Sequence, residues 1–378
     1  MPAFLTHWRI LIRSAEQLSS QAPRANPLAI ARGGSLAFPD VRASEPGATI
    51  PSLCYLGAIG PDIPYLAGSL VRASVLGPRY TGAVLGRSPW ADLLHYNRSG
   101  DFLVEFMRLA ARAQAPELQQ RALAYALGYV THIAGDIVVH PLVNSFAGAY
   151  HQQTAPGTFF GLGLHFWVET CQDARTAQRF FGRDLAQSGS QWSAYLHSAL
   201  REFTTTCEGE SLLTLLQSAA QQVYGLSDDS ARMFGAEYLA GLGGMLRYVS
   251  GASYFHLLYT ALRLTPRLEE RFSDYAAGAD PRTRRFDFTH DRVVGLAERV
   301  AARLCQLTGD YFGSLLQSGS PETQERHYQR LRADLKNWDL DTGYYMESVP
   351  ATADRAPRLA FRHSWPHFAA LNAGARVG

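Results

Sequence analysis

The sequence predicts an all-α protein, a multi-helix bundle, and three observations carry that reading. Apolar residues recur at helical spacing wherever a pattern is readable. No stretch alternates convincingly as a half-buried strand would. One long apolar segment, YALGYVTHIAGDIVVHPLVN, places His132, Asp136 and His140 four residues apart, an interval that keeps side chains on one helix face.

Taken in order, the residues from Phe4 to Leu18 form an amphipathic helix with Leu5, Trp8, Ile10, Leu11 and Ala15 on its apolar side. A Gly/Pro/Ser-rich region from about Gln21 to Gly86 follows, with the turn chemistry of loops and short helices at most. Helix resumes over Pro89–Gln114, then over Pro116–His140, where Pro116 suits the first turn and Pro141 marks the end. A loop over Val143–Gly163 leads into a helix from about Leu164 to Phe181. Further amphipathic stretches cover Glu208–Val223, Ser227–Arg247, Ala252–Leu264 and Thr289–Gln317. The remainder, from Pro321, carries mixed charge, then PATADRAP, then an aromatic cluster around Trp365 and Phe368.

Composition narrows the class. The chain has 378 residues, 47% hydrophobic and 18% charged, which excludes extensive disorder. A net charge of +2 argues against strong nucleic-acid binding driven by phosphate neutralisation. The four cysteines, Cys54, Cys171, Cys207 and Cys305, form no CxxC pair and so neither a zinc knuckle nor a disulfide framework is expected. The amino terminus lacks the layout of a secretory signal, and the apolar stretches are interrupted before a membrane-spanning length. Cytoplasmic residence is the expectation, or secretion if a leader has been removed.

The chemistry sits in the long apolar helix. Ile133, Ala134, Ile137, Val138 and Val139 surround the polar residues, so the helix is expected to be buried nearly all round. Burying His132, Asp136 and His140 without partners would cost several kcal/mol, a cost that metal coordination removes. A second pair at four-residue spacing, His165 and Glu169, opens the next long helix. Imidazoles and carboxylates facing one another across a bundle core suit Zn²⁺, and carboxylates can bridge ions.

HxxxD followed downstream by HxxxE resembles the zinc-dependent phospholipase C family, which shares its fold with the S1/P1 nucleases. ALGYVTHIAGD resembles that family's ligand helix. THWRILIRSA resembles its first helix and aligns His7 with a metal-binding histidine. YLGAIGPDIPYL aligns Asp62 with a loop aspartate, LLHYNRSGDF aligns His95 with a loop histidine, and DRVVGLAERVAARLCQLTGDYF resembles the closing helix. The resemblance spans about residues 4 to 317. It implies a phospholipase C/P1 nuclease-like bundle with a zinc cluster in its core over 1–317, and a C-terminal extension over 318–378 that packs on this domain or at the active-site mouth.

Carried over by position, the cluster would hold two to three zinc ions. Asp62, His95, His132 and Asp136 would hold one, and His165 and Glu169 a second with another histidine. His7 with bridging Asp136 would hold part of a third. Two departures stand out. The terminal tryptophan that completes the third site in secreted relatives has no counterpart here. The histidine after Asp136 is displaced, with His140 preferred for its helical face and His151 as the alternative. The resemblance implies a zinc-dependent hydrolase of phosphoester bonds, first of all a phosphodiesterase using metal-activated water, with Asp62 orienting or deprotonating that water. Phospholipid or another small phosphoester is the expected substrate, with peripheral membrane contact possible. Phe159, Phe160, Phe166 and Trp167 adjoin the ligands as pocket candidates. The alternatives are a P1 nuclease-like or divergent small-molecule zinc hydrolase, and a non-catalytic zinc-stabilised binding module.

Overall fold

In the computed structural model of the chain, the described residues are 4–21, 50–67, 88–147, 168–169, 172–173, 175–177, 179–182, 185–249, 285–317, 320–340 and 343–345. The expected helix over Ala252–Leu264, the loop candidates Phe159 and Phe160, the pair Phe166 and Trp167, and the aromatic end around Trp365 lie outside them. The described elements are α1 (Phe4–Gln21), α2 (Ser52–Gly57), a 3-10 helix (Gly60–Leu66), α3 (Pro89–Tyr96), α4 (Ser99–Arg112) and α5 (Pro116–Ala147). They continue with α6 (Leu185–Thr204), α7 (Leu212–Tyr224), α8 (Asp228–Val249), α9 (Arg285–Leu316) and α10 (Pro321–Asp334). Residues 168–169, 172–173, 175–177 and 179 are helical as well. The fold is all-α, with one short antiparallel ribbon, β1 (Trp338–Asp339) against β2 (Tyr344–Tyr345).

Helix α5 is the central member. Every residue from Ala122 to Val139 is buried, because α9, α2, α4 and α1 pack around it. The expected interruption before a membrane-spanning length is corrected: despite its His and Asp residues, the stretch Pro116–Val143 is long and apolar enough to cross a membrane, yet the apolar window is wholly covered by protein. Buried on every side, the helix has no single apolar stripe. The expected end at Pro141 is also corrected, since α5 runs on to Ala147 with Pro141 inside it. Proline removes only its own N–H from the helix and strains the preceding turn. Burial of Val139, Leu142 and Val143 supplies hydrophobic stabilisation on both sides of the interruption.

Two glycines let α2 approach α5 backbone to backbone. A Cβ at Gly57 would fall 2.1 Å from the Tyr125 carbonyl oxygen, and one at Gly128 would fall 2.0 Å from that of Cys54. Only glycine permits this approach. It sets the chain leaving α2, and the 3-10 helix after it, against the face of α5 that carries His132 one turn further on. Helix α8 packs against the other side of the 3-10 helix.

Helix α1 lies on α9 and α5. The Trp8 indole donates to the Tyr55 carbonyl at 3.0 Å, and Arg9 pairs with Glu298 at 3.0 Å. At its start, the carboxylate of Asp173 accepts from the Thr6 backbone N–H at 3.0 Å and from the Thr6 hydroxyl at 3.2 Å. This is a helix cap supplied by a distant part of the chain, satisfying amide groups that a helix start leaves unpaired.

Beyond α9, Ser320 caps α10 through the Thr323 N–H, with Pro321 in the first turn. Helix α10 packs on α9, where Arg303 pairs with Asp334. The chain then crosses the α3–α4 junction. Ser99 Oγ donates to the Trp338 carbonyl at 2.9 Å, the Asp101 N–H to Asn337 Oδ1 at 3.0 Å, and the Leu340 N–H to the His95 carbonyl at 2.9 Å.

Candidate metal centre

Five segments deliver their polar side chains to one buried point. Helix α1 contributes His7, the 3-10 helix Asp62 and α3 His95. Helix α5 contributes His132, Asp136 and His140, and the segment after it contributes Glu169. All are buried except His140, which is partly so. His165 and the alternative His151 lie outside the described residues.

The carboxylate of Asp136 is the hub. Its Oδ1 lies 3.2 Å from His7 Nε2 and 3.6 Å from His140 Nε2. Its Oδ2 lies 3.0 Å from His132 Nε2 and 3.6 Å from His95 Nε2. On one flank, Asp62 Oδ1 is 3.2 Å from His95 Nε2 and Asp62 Oδ2 is 3.7 Å from His132 Nδ1. On the other, His140 Nε2 is 3.3 Å from Glu169 Oε1. The four-residue spacing read from the sequence thus puts His132, Asp136 and His140 in contact.

The imidazoles are oriented from behind. His95 Nδ1 lies 2.8 Å from the Ala91 carbonyl, and His132 Nδ1 lies 3.1 Å from the Ala58 carbonyl. A carbonyl only accepts, so each Nδ1 carries the proton and each Nε2 turns its other face to the cluster. This outer hydrogen bond is the arrangement that fixes the tautomer of a metal-binding histidine. The Ala91 bond is local to one helical turn. The Ala58 bond depends on the Gly57–Gly128 crossing.

Electrostatics follow from burial and crowding. Burial pushes the Asp136 carboxyl upward, but the charges of His132 and His140 and the close approach of the His132 and His7 imidazoles hold it well below the usual carboxylate range. Asp62 is likewise lowered against its own burial by His132 and His95. Burial lowers His7 and His95, yet Asp136 and Asp62 respectively outweigh it and both imidazoles are raised. His132 is lowered, first by burial and then by the charge of His7, despite Asp136. Two carboxylates held ionised in a protein interior need positive charge beside them, which imidazolium or a bound metal ion can supply.

A metal fits that requirement. Asp62 Oδ2, Asp136 Oδ2 and His132 Nε2 are all buried without a hydrogen-bond partner, although buried polar atoms are nearly always satisfied. His132 Nε2 and Asp136 Oδ2 approach to 3.0 Å without making a well-directed hydrogen bond, as two donors facing a shared third point do. Among the described residues, the ligand atoms of His7, His132 and Asp136 lie within 4.8 Å of one another, as do those of Asp62, His95 and His132. Imidazole nitrogen and carboxylate oxygen are the donor set of zinc.

Several contributors had no signal in the sequence. The carbonyls of Ala58 and Ala91 are backbone atoms and leave no residue type to read. Gly135 precedes Asp136 because a Cβ there would stand 2.9 Å from His7 Nδ1 and 3.0 Å from its Cε1. A glycine inside an apolar helix was the available clue. Gln172, three residues beyond Glu169, lines the same cavity as His7, Asp136, His140 and Glu169. Of the histidines outside the cluster whose burial is described, His197 is exposed and His327 partly so.

The family model for zinc dependent phospholipase C matches residues 6–209. That range contains every residue of the cluster. No curated protein and no solved structure matches the chain.

Proposed function

The chain belongs to the zinc-dependent phospholipase C family, and from that premise we propose that it hydrolyses phosphoester bonds as a zinc-dependent phosphodiesterase, with phospholipid as the first substrate class. The observation that carries the reading is the Asp136 carboxylate, which receives four imidazoles between two overlapping ligand groups. Asp62, His95, His132 and Asp136 would hold one ion, His7 and Asp136 would hold part of a second, and His140 and Glu169 would belong to a third. Bound there, zinc supplies Lewis acidity that ionises a water near neutral pH and neutralises charge on phosphate oxygens.

The chain's own groups do the rest. His95 and His132, fixed by the Ala91 and Ala58 carbonyls, keep their Nε2 atoms on the cluster without rotamer search. Asp62 stays ionised and presents Oδ2 with no hydrogen-bond partner, so it can accept a proton from, or align, a water attacking phosphorus. Asp136 keeps the centre anionic enough to retain cations. The apolar wall of Ile10 and Val139 limits solvent around these charges, which strengthens their effect.

The described residues beyond 317, 320–340 and 343–345, belong on this reading to the same structural unit as an extension laid over it, supported by the Leu340–His95 hydrogen bond.

The test is release of phosphorylated headgroup from a short-chain phosphatidylcholine by zinc-loaded protein, set beside Asp62→Asn. Turnover that falls by about 10²–10⁴-fold in the variant, the range typical of a lost general base, is the expected result. No release from phospholipid, with turnover instead on a nucleotide or another phosphodiester, would overturn the substrate class. No turnover on any phosphodiester would overturn the hydrolase reading.

A further inference from the structure

The residues that surround His7 leave one buried polar group unexplained. Gln172 is 1% exposed, and both its side-chain oxygen and its side-chain nitrogen lack a hydrogen-bond partner. A buried carboxamide in that condition forfeits the hydrogen bonds it would make in water. It lines a tight cavity of about 10 Å³ together with Thr6, His7, Gly135, Asp136 and Glu169, the room that a single water or bare cation takes.

The ligand count around that cavity falls short. His132 spends Nδ1 on the Ala58 carbonyl, so it has only Nε2 to give and can serve a single ion. With His132 given to the ion of Asp62 and His95, and His140 and Glu169, 3.3 Å apart, given to the third ion proposed above, the position between keeps His7 and Asp136 as its side-chain ligands among the described cluster residues. Zinc takes four ligands, of which a reactive site leaves one to water. One more protein donor is needed; a carboxamide oxygen is a weaker zinc ligand than imidazole or carboxylate, but that of Gln172 is the buried, unpartnered donor lining this cavity.

We propose that Gln172 supplies its carboxamide oxygen to the cation held by His7 and Asp136, and so completes a site that the histidines and carboxylates leave one donor short. Rotation of the amide about its last bond is enough to turn the oxygen to the cavity. This inference rests on the zinc-cluster reading above.

The test counts zinc per chain by elemental analysis, and measures its affinity by chelator competition, for wild type, Gln172→Leu and Gln172→Glu. Wild type is expected to hold at least two ions. Gln172→Leu is expected to lose one of them, or to weaken its binding by about tenfold or more, the scale of losses around metal sites. Gln172→Glu, which restores an oxygen of the same reach with a charge, is expected to retain that ion more tightly than Gln172→Leu. The thermal midpoint gives an independent readout: the metal-free Leu variant should be the more stable for losing an unpaired amide, yet gain less from added zinc. Equal zinc content and affinity in all three proteins would overturn the role of Gln172 while leaving the cluster intact. A wild type that binds no zinc would overturn the cluster itself. Should Gln172→Leu fail to fold, Gln172→Ala takes its place, and unchanged zinc content and affinity there contradict direct coordination.

Discussion

His7 and His132 lie face to face, their ring centroids 4.3 Å apart and their planes inclined by 19°, with the two Nε2 atoms directed at opposite oxygens of Asp136. Two parallel imidazoles cannot both carry a proton cheaply at that distance, and burial together with His7 accordingly lowers His132 while Asp136 raises His7. Like ligands are brought this close where a carboxylate, and a cation on each side of it, absorbs the charge. The Asp136→Asn variant keeps the volume and removes the charge. It is expected to lose most bound zinc and at least about 100-fold in phosphodiesterase activity. Elemental analysis beside a turnover assay checks this, and a variant that keeps full zinc content would contradict the bridging role.

Gly135 holds the space that the His7 ring occupies. In Gly135→Ala the new methyl would meet Nδ1 at 2.9 Å and Ile10 Cδ1 at 3.2 Å, so α1 must shift or the ring must turn. A cost of about 1–3 kcal/mol is expected from overpacking, offset by up to about 1 kcal/mol of helix propensity. Denaturant unfolding of the metal-free protein measures the balance, while zinc affinity should fall in any case. Unchanged affinity would show that His7 is not held where it is for metal.

Asp173 gives the fold a pH dependence of known sign. Burial pushes its carboxyl up to about 7, against the hydrogen bonds from Thr6 and Leu5 and the charge of His7. The folded state therefore binds a proton that the unfolded chain has released between about pH 4 and 7. Stability from this group is present in full below the unfolded value of 3.8 and is lost as pH rises through about 7. Asp62 and Asp136 act in the opposite sense, because their lowered carboxyls give stability that is lost only as pH falls. Asp173→Asn keeps the acceptor for Thr6 and removes the titration. In metal-free protein the variant should gain on the wild type by a few kcal/mol, to order of magnitude, between pH 5 and 8. Parallel unfolding curves across that range would contradict the account.

The segment after α10 braces the site from outside the family match. Trp338 is 2% exposed, its indole donates to the Asp334 carbonyl at 3.1 Å, and two residues on the Leu340 N–H holds the His95 carbonyl. Trp338→Ala is expected to cost about 3–5 kcal/mol and to weaken zinc binding through His95. Thermal unfolding with and without zinc measures both. A small separate transition, with the main one unmoved, would mean that the segment folds as an independent appendage.

What the sequence made legible follows from periodicity. His132, Asp136 and His140 could be placed together because a four-residue interval has one meaning on a helix. The helix itself was recognised by length and apolar content, although its amphipathic signal is absent for want of a solvent face. His7, Asp62 and His95 come from separate elements, so no local spacing links them, and only the resemblance to a family of known ligand order did. Pro141 misled because propensity marks a helix end locally, whereas packing of Leu142 and Val143 settles it globally. The carbonyls behind His95 and His132, the cap from Asp173 and the cavity position of Gln172 are relations between distant segments, and nothing in a single residue's type announces them.

The most direct measurement is the zinc content of the purified chain after zinc resupply and removal of excess, taken beside His132→Ala with folding verified by circular dichroism. His132 stands between the two ligand groups, so its loss removes an imidazole from the middle of the centre. Two to three zinc ions per wild-type chain, with clear depletion in the variant, is the expected result. A folded wild type that holds no zinc, or a variant that holds as much as the wild type, would contradict a metal centre at Asp136.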